Sequence, residues 1–165
     1  MKETGTIPNR TRKGSEDVPD RLKALNRLER FGVLATGDRG RPYASLISFA
    51  FTPDLSRVVF ATPKGTQKYR NIIEAGDVAL LIDSRSRSRK NLLETEAVTV
   101  IGTARPVRRG KARDELEAIF LAKHPELSDF VRAATTALIV VDVTRCIHVG
   151  RFQTVSVWDR GFQTS

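Results

Sequence analysis

Short apolar runs separated by turn-forming residues dominate the sequence, and this pattern predicts a mainly β fold. The turn clusters GDRGRP (37–42) and TPDLS (52–56) separate the first three runs closely enough for an antiparallel meander. Gly102 interrupts a later run and predicts a bulge or a bend in its strand. The predicted strands are 32–36, 43–52, 57–62, 78–82, 97–107, 137–143 and 146–157.

Helical spacing of apolar residues appears in four shorter segments. Leucines recur at intervals of three between residues 22 and 28, with Val18 one turn earlier and Asp17 placed to cap the helix. The other predicted helices are 69–75, 111–123 and 126–134. Residues 1–17 are polar and basic, which predicts a flexible arm, whereas residues 18–165 are numerous enough for one domain with its own core.

The charge balance of the chain is strongly basic. There are 28 lysines and arginines against 19 acidic residues, a formal net charge of +9. Such an excess favours anionic partners such as phosphorylated cofactors, nucleic acids or acidic surfaces. Part of it lies in the arm and in the run SRSRSRKN (84–91), and such runs are usually solvated. Few aromatic residues accompany the run, although single-strand binders pair charge with stacking platforms. The pattern therefore argues against a nucleic acid as partner, and a nucleic-acid-binding barrel stays the third hypothesis.

The sequence shows no feature that would direct the chain to a membrane or across it. No apolar run approaches the ~20 residues of a membrane span, and the first residues lack the apolar core of a signal peptide. These observations predict a cytoplasmic protein without a membrane partner. A single cysteine, Cys146, excludes an intrachain disulfide and a cysteine-based zinc cluster, and we expect an inert buried thiol.

Residues able to ligate metals or to act as nucleophiles form no recognisable pattern. Asp83, Asp142 and Asp159 lack the spacing of a metal site, and no Ser-His-Asp or Cys-His arrangement stands out. We expect His124 at the surface, near the end of a helix. His148 lies in a late strand, where packing or hydrogen bonding is expected and haem ligation is the alternative.

The segment FATPKGTQKYRNI (60–72) carries the clearest candidate site. A strand ends in a turn that contains Gly65, and a helical pattern begins shortly afterwards. A helix start offers unpaired N–H groups and a partial positive charge, and Lys64, Thr66 and Lys68 surround this one. The combination predicts a phosphate cradle. The alternative is an ordinary strand–turn–helix joint with solvated lysines, and the P-loop motif is missing.

An ordered set of segments carries a family resemblance. The segments are GVLATGDRGRPYASLISFAF, RVVFATPKGTQKYRNI, DVALLID and AVTVIGTARPV, and the similarity extends over about residues 21–158. This order resembles the pyridoxamine 5′-phosphate oxidase-like family of FMN-binding split β-barrels. The resemblance implies a mainly β (α+β) fold, a six-stranded antiparallel split barrel with short helices at its rim. It also implies a homodimer with FMN at the interface.

The resemblance implies which residues contact the flavin ring. Ser45, Leu46 and Ile47 match the strand that runs beside the ring, and Thr62 matches a contact to the ring or to the ribityl chain. Alternate side chains of this strand fall on opposite faces. The small residues that flank Leu46 on its face would leave room for a flat ring.

The resemblance also implies a phosphate clamp and a contribution from a second chain. Thr66, Gln67 and Lys68 match the Ser-Arg-Lys clamp of the family, with Gln67 in place of the arginine. A bidentate charged donor is thereby lost, and Lys64 is expected to supply the missing charge. The candidates from the second chain are Arg151, Gln153 and Trp158.

These observations lead to an FMN-dependent oxidoreductase that acts on a small-molecule substrate. No catalytic acid or base is identified, and the substrate and the electron donor stay open. The C-terminal VWDRGFQTS lacks the Arg-x-His pair of pyridoxamine phosphate oxidases proper, so their vitamin B6 activity is not predicted. The alternative is a non-catalytic protein of the same fold that binds a flavin, a deazaflavin or haem.

Overall fold

The computed structural model describes residues 10–13, 17–87, 91–150 and 154–160. Within these residues one sheet of nine strands is accompanied by four α-helices. The strands are β1 (Arg10–Lys13), β2 (Phe31–Asp38), β3 (Arg41–Ser48), β4 (Ala50–Phe51), β5 (Arg57–Pro63), β6 (Asp77–Asp83), β7 (Ala97–Pro106), β8 (Thr136–Gly150) and β9 (Thr154–Asp159). The helices are α1 (Asp17–Leu28), α2 (Gln67–Glu74), α3 (Lys111–Lys123) and α4 (Ser128–Arg132).

The sheet follows the order β1-β9-β8-β7-β6-β2-β3, and β5 pairs with both β4 and β8. All pairs are antiparallel except β1 with β9, which is parallel. The sheet is curled into a half-barrel, and the predicted mainly β split-barrel fold with short helices is confirmed. None of the described helices is long and apolar enough to cross a membrane.

Strand β8 holds the two parts of the barrel together. Its residues 136–142 pair with β5, residues 139–143 and 145–149 pair with β7, and residues 145–150 pair with β9. The sequence predicts two strands here, separated by polar residues 144 and 145, but β8 runs through them without a break. These residues lie where the second partner of β8 changes from β5 to β9. Pairing with β7 on both sides of residue 144, through Val143 and Arg145, keeps the strand intact.

The core lies between the curled sheet and helices α1 and α3. Three apolar residues of the predicted first helix, Val18, Leu22 and Leu25, are fully buried, and each such burial is worth about 1.5–3 kcal/mol. The predicted strand 43–52 ends at Ser48 and resumes as β4. Because of this break, Ala50 is buried together with its two phenylalanine neighbours, and the predicted alternation of faces does not continue past residue 48.

The bulge predicted at Gly102 is present. The pairing of β7 with β8 shifts register between Ile101 and Gly102. A Cβ atom at Gly102 would lie 2.2 Å from the carbonyl oxygen of Asp142, so no side chain fits there. Glycine therefore lets the two backbones approach where the barrel bends.

The N-terminal arm is described only in part. Residues 10–13 form β1, which pairs with the C-terminal strand β9. Residues 1–9 and 14–16 lie outside the described residues. The flexibility predicted for the arm stays a prediction.

Candidate functional site

The turn between β5 and α2 is held by two threonine hydroxyls. Thr66 is the N-cap of α2, and its hydroxyl oxygen accepts from the backbone N–H of Tyr69 at 3.3 Å. The same hydroxyl donates to the carbonyl of Pro63 at 2.9 Å, and the buried Thr62 hydroxyl lies 3.0 Å from it. Because of this cap, α2 begins at Gln67, two residues before the predicted start. The turn therefore has a defined shape.

The two lysines of the turn have different surroundings. The ammonium group of Lys64 donates to the carbonyl of Ala134 at 2.9 Å, and this contact joins the turn to the start of β8. Among the residues that the structure describes, no hydrogen bond or ion pair is found for Lys68. Burial lowers the pKa of the Lys68 ammonium. Lys68 is thus a half-buried cation with no counterion in the described part of the chain, and an anionic ligand would supply one.

Polar side chains of α2 form a chain of hydrogen bonds that leads into the barrel. The Gln67 amide donates to the side-chain oxygen of Asn71 at 2.7 Å, and the Asn71 amide donates to the hydroxyl of Thr36 on β2 at 2.9 Å. Asn71 is fully buried. The guanidinium of Arg70 donates to the Gln67 side-chain oxygen at 2.7 Å and to the carbonyl of Gly65 at 3.0 Å. Arg70 therefore lies over the turn.

Sequence reasoning missed Arg70, Asn71 and Thr36. Arg70 and Asn71 follow Gln67 by three and four residues, and this spacing places them beside it on a helix. That spacing is visible in the sequence, but Thr36 is brought to the helix only by the fold.

The segment 60–72 offers donors for an anion and contains no aspartate or glutamate. Within the described residues no hydrogen-bond partner is found for the backbone N–H groups of Gln67 and Lys68, the first two of α2. Such groups carry the positive end of the helix dipole. Together with the Lys68 ammonium and the Arg70 guanidinium, they fit a phosphate group.

The residues predicted to lie beside a flavin ring are on β3, the last strand of the described sheet order. Leu46 is 62% exposed, whereas Ile47 is buried. Ser45 points to the other face from Leu46, and its hydroxyl is buried without a hydrogen-bond partner among the described residues. An unsatisfied buried hydroxyl costs about 1–3 kcal/mol. β3 also contacts β5, the strand that leads into the turn. The Ser45 hydroxyl therefore fits a polar ligand atom.

The residues predicted to reach a second chain are only partly described. Arg151 and Gln153 lie outside the described residues. Trp158, on β9, is partly buried and packs against the core, and the Arg160 guanidinium lies 5.4 Å from the centre of its ring. Trp158 pairs with Cys146, whereas the turn adjoins Thr136 at the opposite end of β8. Within one chain, Trp158 and the turn are therefore not brought together.

Both histidines are hydrogen-bonded through Nε2. His124 donates to the carbonyl of Phe49 at 2.8 Å and is buried, so its predicted surface position is wrong. The reason is that the end of α3 packs against the barrel, where the rings of Phe120 and His124 are 4.9 Å apart. His148 donates to the Glu96 carboxylate at 3.0 Å, in line with its predicted hydrogen bonding.

The carboxylate of Glu96 is the centre of a small ionic cluster. Burial would raise its pKa, but hydrogen bonds from Arg21 and His148 outweigh burial and lower it. Cys146 is fully buried, and burial raises the pKa of its thiol to about 12, as expected for an inert cysteine.

Two arginines of the basic run at 84–91 are engaged by acidic residues. Arg85 pairs with Asp83 at 3.0 Å, and Arg87 pairs with the buried Glu29 at 2.8 Å. Arg89 lies outside the described residues. The described part of the run is therefore a loop held by ion pairs.

Solved structures of several proteins share this fold. A haem-binding protein from Mycobacterium smegmatis has a TM-score of 0.72 at 19% identity, and the match covers 82% of this chain and 56% of that protein. General stress protein 26 from Bacillus anthracis has a TM-score of 0.65 at 14% identity, with coverages of 87% and 99%. A FAD-binding protein from Mesorhizobium loti has a TM-score of 0.60 at 16% identity, with coverages of 78% and 91%. At these identities the likeness extends to the fold alone.

Sequence comparison assigns the family. No protein with a curated functional description matches the chain. The sequence profile of the pyridoxamine 5′-phosphate oxidase family matches residues 18–150, which include the turn, α2 and β3. The chain therefore belongs to the pyridoxamine 5′-phosphate oxidase family.

Proposed function

We propose that this protein is a cytoplasmic FMN-binding oxidoreductase with a small-molecule substrate. The observation that carries the proposal is Lys68 in a chain of this family. Lys68 is a half-buried cation for which the described residues provide no counterion, and it lies at a helix start whose segment, 60–72, contains no acidic residue. Bound FMN supplies hydride transfer, while the protein binds and orients the cofactor. Membership of the family supports a flavin ligand but leaves the substrate and the electron donor open.

Each residue of the turn has a distinct part in this proposal. Lys68 and the first N–H groups of α2 bind the phosphate. Thr62 and Thr66 fix the shape of the turn through the hydrogen bonds described above. Lys64 adds positive charge nearby, while its contact with Ala134 anchors the turn to β8.

The hydroxyl of Ser45 and the backbone of Leu46 and Ile47 are proposed to bind the flavin ring. The ring carries both polar edges and a flat apolar surface. The Ser45 hydroxyl, which is buried without a partner among the described residues, suits a polar edge of the ring.

The partner that we propose is a second copy of the chain, bound through the outer face of the sheet. Residues directly opposite on adjacent strands share a face. A row of five apolar residues and one threonine crosses six strands on this face: Leu46, Val33, Leu81, Thr99, Ile147 and Val157. Leu46 is 62% exposed and Leu81 is 37% exposed. Contiguous exposed apolar surface of this kind usually marks an interface, and a homodimer would cover it.

The dimer proposal is tested with Leu46→Asp, because a carboxylate placed in an apolar interface must be desolvated. We expect dissociation of the dimer to rise by about 10-fold or more, measured by light scattering during size-exclusion chromatography. The control is Ile73→Asp, since Ile73 is 55% exposed but lies on α2, outside the row. A dimer that survives Leu46→Asp, or that is lost equally in Ile73→Asp, would contradict the assignment of this face.

A second candidate function is haem binding, because a protein of similar fold from Mycobacterium smegmatis binds haem. In this chain the Nε2 atoms of His124 and His148 donate hydrogen bonds to Phe49 and Glu96. Either histidine would have to break that bond before ligating iron through Nε2. The arrangement therefore favours a flavin over haem.

The test of the function is the absorption spectrum of the purified protein, with mass identification of any molecule released on denaturation. We expect the visible bands of an oxidised flavin and release of FMN. Bleaching of these bands by a reduced nicotinamide, followed by turnover, would separate an enzyme from a flavin carrier. A Soret band, or failure of the apo protein to bind added FMN, would refute the proposal.

A further inference from the structure

We infer that Arg70 is the phosphate-binding guanidinium of this site and that Gln67 is its positioning residue. The inference rests on the proposed function, because it concerns the phosphate of the same flavin. It gives Gln67 a role of its own. The guanidinium expected at position 67 is supplied by Arg70, one helical turn later, and Gln67 holds Arg70 in place.

The side chain of Arg70 is folded back over the turn. Its guanidinium donates to the carbonyl of Gly65 and to the side-chain oxygen of Gln67, and both acceptors lie toward the N-terminus of α2. A guanidinium carries five N–H donors, so these two bonds leave donors over for a ligand. Arg70 is otherwise exposed, and within the described residues no carboxylate pairs with it. A free guanidinium face thus borders the same turn as Lys68.

The orientation of the Gln67 side chain is fixed by hydrogen bonds that lead into the barrel. Its amide nitrogen donates to Asn71, and Asn71 in turn donates to Thr36 inside the barrel. Because the nitrogen is used in this direction, the Gln67 oxygen faces Arg70 and accepts from it. An arginine at position 67 has no acceptor atom, and its charge would repel Arg70. Gln67 therefore supplies the acceptor that Arg70 needs, and the guanidinium of Arg70 is the one beside the turn.

The test compares FMN with riboflavin, which has the same ring but no phosphate. Dissociation constants for both are measured on the apo protein by flavin fluorescence, together with its melting temperature. We expect Arg70→Gln to weaken FMN binding by about 10- to 100-fold, the range for one charge-assisted contact, and to leave riboflavin binding unchanged. The control is Arg27→Gln, an exposed arginine in the last turn of α1, which should change neither constant.

The double variant Gln67→Arg with Arg70→Gln separates a ligand role from a structural one. It returns a guanidinium to the turn at the other position, so we expect most of the preference for FMN over riboflavin to return. The single variant Gln67→Leu should lose part of that preference without a change in riboflavin affinity, because Arg70 is no longer held.

Two outcomes would overturn the inference while leaving the proposed function intact. One is an unchanged preference for FMN in Arg70→Gln. The other is an equal loss of FMN and riboflavin affinity in that variant, which would indicate a structural role. If the wild-type protein bound neither flavin, the proposed function and the inference would both be overturned. Equal binding of the two flavins would overturn the inference and the phosphate-binding role of the turn, but not flavin binding.

Discussion

Replacing Lys123 with methionine should stabilise the protein at neutral and acidic pH. The ammonium group of Lys123, in the last turn of α3, lies 3.7 Å from the centre of the Phe49 ring and 3.3 Å from the side-chain oxygen of Asn26. Burial lowers its pKa from 10.5 to about 7, nearby Arg30 adds to the lowering, and Glu29 opposes it. The charged form is therefore less favourable in the folded protein than in the unfolded chain.

The size of the effect follows from the pKa. At about 1.4 kcal/mol for each pH unit, a fall from 10.5 to about 7 corresponds to at most about 5 kcal/mol. Lys123 is only partly buried, so solvent screening reduces this, and we expect about 2 kcal/mol. The cost is fully present below pH 7, where both states are protonated. It falls as pH rises from about 7 to 10.5, because only the unfolded state stays protonated there.

The assay is urea unfolding of wild type and Lys123→Met at pH 6 and pH 10. Methionine keeps a similar length without the charge, so the variant should be more stable by about 2 kcal/mol at pH 6 and nearly equal to wild type at pH 10. Lys111→Met is the control, since the Lys111 side chain is 92% exposed. A gain that is the same at both pH values, or a loss at pH 6, would refute the argument.

Three further experiments, two of them with substitutions, test other parts of the structure. Gly102→Ala should lower the free energy of unfolding in urea by about 2–3 kcal/mol, because the added Cβ would clash with the carbonyl of Asp142. The control Gly37→Ala should have no such effect, since nothing lies within 4 Å of its added Cβ. Equal urea midpoints for the two variants would contradict this. Lys68→Gln should weaken FMN binding by about 10- to 100-fold without loss of stability of the apo protein. In the wild-type protein, FMN affinity should fall as pH rises through the lowered pKa of Lys68. An FMN affinity that is independent of pH would count against a role of the Lys68 charge. Cys146 should react with a thiol reagent only after unfolding, because its thiol is buried and its pKa is about 12.

Local patterns were sufficient to predict most of the fold. The helix predicted at 111–123 is observed with those bounds, and the glycine in the strand at 97–107 does mark a bulge. The break predicted within 137–157 is misplaced, because residues 144 and 145 look like a loop locally. Arg145 lies in a strand because Ile101 pairs with it from a distant part of the sequence, and Thr144 is the extra residue where the register shifts.

The candidate site could be located from the sequence, but its contacts could not. The turn and helix start at 60–72 are local features and were found directly. The contact of Lys64 with Ala134 and that of Asn71 with Thr36 join residues far apart in the chain. The burial of His124 was missed for the same reason, since it depends on Phe49. Such contacts exist only after the barrel has formed.

The pairing of β5 with β8 has a consequence for the order in which the protein folds. Apart from the two residues of β4, the partner of β5 is residues 136–142, which leave the ribosome long after residues 57–63. The backbone N–H of Lys64 donates to the carbonyl of Thr135 and must wait for the same segment. Pairing of such distant segments is slow, because a long loop must close first. The turn that follows β5 therefore reaches its observed hydrogen bonds only after β8 has paired with β5, so the candidate site forms late rather than during synthesis of the N-terminal half.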